Sequence, residues 1–282
     1  MQIRVDSRQL LRTLRAVIGE RNLFRAERHL RAVEDFIESE LKACGLRVES
    51  DFFSYRGRSF RNVIGRREGR PGSPLVIVGA HFDTVEGTPG ADDNASGVAV
   101  LLEVARVLGR EAGGPELLFC AFNLEELNMI GSTHMARRLK RAGVKVDAMI
   151  SLEMVGYTDS RAGSQKYPPG LSWFYPDRGD FIGLVANWSS AGLLRKVARE
   201  MRRIRGLPVE TLSVPGTGGL LPAVRLSDHS PFWDLGYPAL LVTDTSFYRN
   251  PHYHAASDTL ETLDLDFMAR VAEAIAGALR RF

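Results

Sequence analysis

At 282 residues the chain is long enough to bury a sizeable core in one large or two modest domains. Its 44% hydrophobic and 25% charged content is that of an ordinary globular protein rather than a disordered or fibrous one. The net charge is only +3, and no segment joins a dense Lys/Arg cluster to aromatics, so nucleic acid is not an expected partner.

The N-terminal stretch MQIRVDSRQLLRTLRAV is charged and periodic. It has neither the continuous apolar segment nor the small-residue cleavage site of a signal peptide, so a cytoplasmic location is expected. Helical spacing runs over residues 7–18 and again over Glu27–Ala43, where Leu30, Val33, Ile37 and Leu41 form one stripe and Gly45 follows as a stop. Residues 46–55 and 60–66 alternate like neighbouring antiparallel strands, with Gly57 between them. Residues 75–79 are a short all-apolar run, the pattern of a strand buried on both faces. A helix is expected over 94–108, a second buried strand over 117–122, a helix over 132–142 and a third strand over 148–154. Residues 159–180, rich in Gly, Pro and aromatics, form a long loop of the kind that often carries function. Then follow a strand over 181–186, a helix over 190–204, a strand over Val209–Val214 and a short helix over 231–235. A buried strand, Ala239–Thr243, and a closing helix, Leu265–Leu279, complete the chain. Buried strands alternating with amphipathic helices predict an α/β sandwich with a mixed, mostly parallel central sheet. Cys44 and Cys120, in apolar contexts without metal-site spacing, are expected to be buried free thiols. No apolar run is long enough to span a membrane.

In such a sheet ligands bind outside the carboxyl ends of the strands, and the candidate chemistry lies there. His81 and Asp83 follow the strand 75–79, Asp92-Asp93-Asn94 precedes a helix, and Glu125-Glu126 follows the strand 117–122. Glu153 closes the strand 148–154, and His254 follows Ala239–Thr243 through a loop. Singly, each has a plainer explanation: a loop hydrogen bond, a helix cap, a solvated acid pair, a carboxylate facing an arginine. Glu153 stands apart, because a carboxylate amid Ile150, Leu152, Met154 and Val155 is costly to bury unpaired. Together these imidazoles and carboxylates are the donors a catalytic zinc takes. They suffice for two ions, one with His81 and Glu153, the other with Glu126 and His254, and Asp93 bridging. Asp83, two residues from His81, is placed to orient its imidazole. Two ions roughly 3.5–4 Å apart would hold a bridging water and polarise a substrate carbonyl. A carboxylate that is not a ligand must then carry the proton to the leaving amine, and Glu125 is the candidate base.

GAHFDTVEGTPGADDNASG, FNLEELNMIGS, SLEMVGY, SDHSPFWDLGYPALLVTDT and RNPHYHAASDTLETLD follow one another in unbroken order. They resemble the successive motifs of the two-zinc aminopeptidase family, which also contains glutamate carboxypeptidase and the glutaminyl cyclases. The resemblance, over roughly residues 60–282, implies the zinc-exopeptidase fold, a three-layer α/β/α sandwich; with no internal repeat or interdomain linker, residues 1–282 are expected to form a single domain. It implies two zinc ions per chain (other divalent metals suit the same donors), with His81, Asp93, Glu126, Glu153 and His254 as ligands and Glu125 as base. Many members carry Asp where this chain has Glu153. A cis peptide bond between Asp93 and Asn94 is also implied. So is Tyr253 as hydrogen-bond donor to the oxyanion of the tetrahedral intermediate. The resemblance also implies that Asp228 and His229 stand behind the ligands or beside the substrate, and that Asp258 braces the His254 loop.

The activity this implies is removal of N-terminal residues from small peptides, without a nucleic-acid or membrane partner. Trp173, Phe174 and Tyr175 of the long loop are expected to wall the side-chain pocket. Two rivals share the fold. A glutaminyl cyclase-like acyl transfer at one zinc is opposed by the complete five-ligand set. The two-zinc carboxypeptidase/deacylase group normally carries a dimerisation domain between its fourth and fifth ligands, whereas the interval from Glu153 to His254 reads as a continuation of one sheet. Intact ligands speak against a metal-free scaffold protein. Oligomeric state and the preferred N-terminal residue are not legible.

Overall fold

The computed structural model describes residues 5–282, so the first four residues of the charged N-terminal stretch lie outside the described residues. Helix α1 (Ser7–Val17) is capped by the Asp6 side chain, which accepts from the Arg8 amide. Helix α2 (Glu27–Ala43) stops at Gly45, whose φ of +82° is left-handed and free of Cβ strain only for glycine. There follow β1 (Arg47–Tyr55), β2 (Arg58–Arg67), β3 (Leu75–His81), α3 (Gly97–Leu108), β4 (Glu116–Phe122), α4 (Ile130–Arg141) and β5 (Ala148–Glu153). Then come β6 (Ile182–Asn187), α5 (Ala191–Met201), β7 (Val209–Val214), α6 (Ser230–Asp234), β8 (Ala239–Thr243) and α7 (Leu265–Leu279).

The strands form one eight-stranded sheet in the order β1-β2-β4-β3-β5-β8-β6-β7. The centre, β4-β3-β5-β8, is parallel, and so is the β6–β7 pair. The β1–β2 hairpin joins β4 antiparallel at one end, and β6 meets β8 antiparallel at the other. Alternation along β3 shows why its sequence is apolar throughout. Val76, Val78 and Ala80 pack under α1, α2, α3, α5 and α7, while Ile77 faces the opposite layer with α4 and α6. The result is the expected three-layer sandwich. Cys44 and Cys120 are buried and unpaired with one another, and no described helix is long and apolar enough to cross a membrane.

One boundary differs from expectation in a way that matters for the site. The helix expected from Asn94 begins at Gly97, and Ala91–Ser96 form a wide turn whose Asp93 and Asn94 leave helical geometry. The cause is local. Asn94 Oδ1 accepts from the Gly97 and Met154 amides (both 3.1 Å) and its Nδ2 donates to Leu152 O (2.9 Å), tying the turn to the end of β5. The Asp93–Asn94 peptide bond is cis.

Candidate active site

Strands β3, β4, β5 and β8 end on one rim, and the loops leaving them carry the acids and histidines. His81 is the last residue of β3 and Glu153 the last of β5. Their side chains meet: His81 Nε2 lies 3.2 Å from Glu153 Oε1 and 3.2 Å from Asp93 Oδ1. The other oxygen of Asp93 lies 3.2 Å from Nε2 of His254, which is also 3.4 Å from Glu126 Oε2. Two donor groups therefore share one carboxylate: His81–Asp93–Glu153 and Asp93–Glu126–His254, with the donor atoms of each within 4.8 Å of one another. Imidazole and carboxylate donors in this number are the chemistry of zinc, and Glu126 Oε1 is buried with no hydrogen-bond partner among the described residues. The donor set fits the metal.

Glu125 stands beside this pair of groups. Its Oε2 is 3.9 Å from His81 Nε2, and it also falls in a third donor group with His81 and Glu126. Burial holds its carboxyl well above the usual carboxylate range; the His81 charge opposes that shift, and Glu153 and Asp228 reinforce it. Burial likewise pushes Glu126 up to about 7 and Asp228 up to about 7. Asp93 moves the other way: burial raises it, but hydrogen bonds from His254 and His81 outweigh that and keep it ionised.

Backbone and carboxylate contacts hold these groups in place. Asp83 was expected to orient His81, and its carbonyl does lie 3.2 Å from His81 Nδ1, with Oδ1 at 3.6 Å. Its carboxylate is engaged elsewhere, accepting from the Glu125 amide (3.0 Å) and the Glu126 amide (3.1 Å). Asp258 accepts from the Asp92 amide (2.9 Å) and the Asp93 amide (3.1 Å), so it ties the loop carrying His254 to the turn carrying Asp93. Asp92 takes no place in the donor groups; it accepts from the Gly156 amide (2.9 Å) and from Asn250 Nδ2 (2.7 Å). Ser227 Oγ donates to Glu153 Oε2 at 2.8 Å. The Tyr253 ring stacks on the His254 imidazole, centroids 3.8 Å apart. Non-glycine residues with left-handed backbone at the rim include Leu124 before the Glu-Glu pair, Met154 after Glu153, and His254 itself. Such conformations persist where the surrounding contacts over-determine them.

Sequence reasoning missed Arg21. It is fully buried, and its guanidinium donates to five backbone carbonyls: Phe82, Val17, Gly19, Pro89 and Gly90. Phe82 lies between His81 and Asp83, and Gly90 leads into the Asp93 turn, so one cation clamps both segments while facing the charges of Asp93 and Asp83. Gly90 (φ +62°) permits the approach, because a Cβ there would sit 2.3 Å from Asp93 O.

A cavity of about 420 Å³ opens beside the donors. The long loop lines it through Tyr167, Leu171 and Tyr175, but not through Trp173 and Phe174, which are 86% and 78% exposed. That corrects the expected aromatic wall. A short 3₁₀ turn, Leu171–Trp173, aims Leu171 inward and swings the next two aromatics to solvent.

The sequence pattern of Peptidase family M28 matches residues 62–279. Uncharacterized protein YfbL of Escherichia coli (strain K12) is 37% identical over 252 residues, covering 86% of this chain and 77% of that protein. Aminopeptidase YwaD of Bacillus subtilis (strain 168) is 27% identical over 232 residues; the match covers 80% of this chain but only 45% of that relative's length. Among solved structures, the LapA aminopeptidase of Legionella pneumophila superposes with a TM-score of 0.76 at 20% identity, over 98% of this chain and 71% of that one. The glutaminyl cyclase of Porphyromonas gingivalis superposes with a TM-score of 0.72 at 22% identity, over 98% of each. At those identities the likeness concerns the fold, which peptidase and cyclase share.

Proposed function

Because the chain belongs to peptidase family M28 and is a zinc metallopeptidase, we propose that it removes N-terminal residues from small peptides, using two zinc ions per chain. The observation that carries the proposal is Asp93, whose two oxygens each lie 3.2 Å from the imidazole of a different donor group. One ion would be held by His81, Asp93 and Glu153, the other by Asp93, Glu126 and His254. Zinc bound there supplies Lewis acidity, lowering the pKa of water and polarising a carbonyl.

Glu125 takes the proton of the attacking water and gives it to the leaving amine. Its burial and its raised proton affinity suit a group that must hold a proton between the two transfers. Asp83 fixes the backbone of that base through the Glu125 amide. Tyr253, held by stacking on His254, donates its hydroxyl to the oxyanion. The interval from Glu153 to His254 builds β6, β7 and β8 of the same sheet, so it holds no inserted domain of the carboxypeptidase/deacylase kind.

The test is to measure zinc per chain and then compare N-terminally free with blocked peptides. Two zinc ions and cleavage confined to free N-termini are expected. Cyclisation of N-terminal glutamine with release of ammonia would replace this reading with the cyclase one.

A further inference from the structure

The cavity contains a carboxylate that the proposed chemistry does not use. Glu210, the second residue of β7, lines it and is part-buried, and its carboxylate makes no hydrogen bond or ion pair among the described residues. Its place follows from sheet register. Glu153 pairs with Thr243, Thr243 with Gly183, and Gly183 with Glu210, forming one row across β5, β8, β6 and β7. Residues in one row project from the same face of a sheet. Met149, Ala239, Val185 and Leu212, two residues along from this row or four, pack in the apolar cluster with α4 and α6, so this is the face the row presents. The row spans three inter-strand steps, roughly 14 Å between its outer Cα atoms. A metal donor stands at one end and Glu210 at the other.

Between them the passage is kept open and apolar. Gly183 has no side chain to fill it, and a Cβ there would crowd Thr243 O at 3.2 Å. Leu241, Val185 and Leu212 form the next row of the floor. Tyr167 and Tyr175 stack on each other with centroids 5.7 Å apart, and the Tyr175 hydroxyl is fixed on Thr211 O at 2.9 Å. Two cations stand near, Lys166 in the lining and Arg249 behind it, and neither pairs with Glu210. Lys166 donates to Gly163 O at 2.9 Å, while Arg249 donates to Gln165 Oε1 and Phe181 O, both at 2.8 Å.

We propose that this cavity selects N-terminal lysine and arginine, with the alkyl stem along the apolar floor and the cationic head on Glu210. The proposal rests on the aminopeptidase reading above. A long basic side chain matches both halves of the trough, since its stem is apolar and its head is charged. A purely apolar residue of equal length would leave the Glu210 carboxylate desolvated without a partner. An acidic residue would meet like charge.

Neutral isosteres isolate the charge: lysine against norleucine, arginine against citrulline. Zinc-loaded wild type, Glu210→Gln and Glu210→Lys are assayed on the 4-nitroanilides of all four. Each protein is also titrated calorimetrically with free L-arginine and L-citrulline. The wild type is expected to favour the cationic member of each pair by roughly tenfold or more in kcat/KM and in affinity, the worth of a charge-assisted pair. That ratio should collapse toward one in Glu210→Gln and fall below one in Glu210→Lys. Equal wild-type values within a pair, or a preference that survives in Glu210→Gln, overturns the proposal while hydrolysis of the anilides leaves the peptidase reading standing. Conversely, Glu210-dependent preference for arginine in binding, with no anilide hydrolysed, supports the cavity assignment and removes the aminopeptidase reading.

Discussion

Glu125 and Glu126 are chain neighbours whose amides hang on the same carboxylate, Asp83, yet their side chains face different partners. Glu126 Oε2 reaches His254 at 3.4 Å, within the group that shares Asp93, whereas Glu125 Oε2 stays 3.9 Å from His81 and outside both groups that contain Asp93. Glu125→Gln should therefore keep its zinc and lose turnover by about 10²–10⁴-fold, the usual worth of general acid–base catalysis. Undiminished kcat would remove Glu125 as the base. His254→Ala should do the reverse at the metal and lower the zinc content measured per chain; full occupancy would exclude it as a ligand. The donors were legible because His and carboxylate types at strand ends are rarely so aligned by chance. Arg21 was not legible. It sits among polar residues with no periodic pattern, in a chain rich in arginine, and only the approach of Phe82, Pro89 and Gly90 gives its cation a purpose.

At the level of elements, pattern gave existence and type, while termini followed tertiary contacts. Glu27–Ala43, Val209–Val214, Ala239–Thr243 and Leu265–Leu279 lie where periodicity puts them. The start of α3 does not, since the Asn94 side chain competes for the backbone of Gly97 and Met154. The long loop shows the same limit: three successive aromatics read alike in sequence, but only Tyr175 of the three lines the cavity. Tyr175→Ala should shift the relative kcat/KM among N-terminal residues, and Trp173→Ala should not. A larger shift from Trp173→Ala would contradict the cavity as drawn. Helix α6 carries a pH dependence. Its N-terminal flank, His229, is fully buried, with Nε2 2.8 Å from Val224 O and the ring edge-on to Trp233. Burial pushes His229 down to about 3. Below its unfolded pKa the unfolded chain takes up a proton that the folded chain refuses, so stability falls as pH drops from about 6.5 toward 3. Between pH 7 and pH 5, urea unfolding of the zinc-loaded protein should show the wild type losing about 2 kcal/mol more than His229→Gln. Parallel losses would mean that His229 titrates as readily folded as unfolded.

Across the whole molecule, a single rim gathers residues from β3, β4, β5 and β8, and a single cross-strand row joins that rim to Glu210 on the far edge strand. The rim could be inferred from sequence because each donor follows an apolar run. The row could not, because it depends on the register of β8 with β6, an antiparallel pairing between strands distant in the chain. The convergence has a thermodynamic consequence. The groups His81–Asp93–Glu153 and Asp93–Glu126–His254 each draw on segments that only the folded chain brings within 4.8 Å, so zinc held by them would favour the native state over the unfolded one. With free metal at about a thousand times its dissociation constant, linkage would add about 4 kcal/mol of stability for each ion bound. For a domain of this size that corresponds to a rise in Tm on the order of 10 °C. Chelation followed by readdition of zinc should lower and then restore the Tm by at least that amount, and by more if both ions are released. His254→Ala should blunt the response, because it removes one donor without touching the buried His81–Asp93–Glu153 group. A Tm indifferent to chelation would mean that the donors do not hold metal, and the sharing of Asp93 between two imidazoles would then be a hydrogen-bonded network alone.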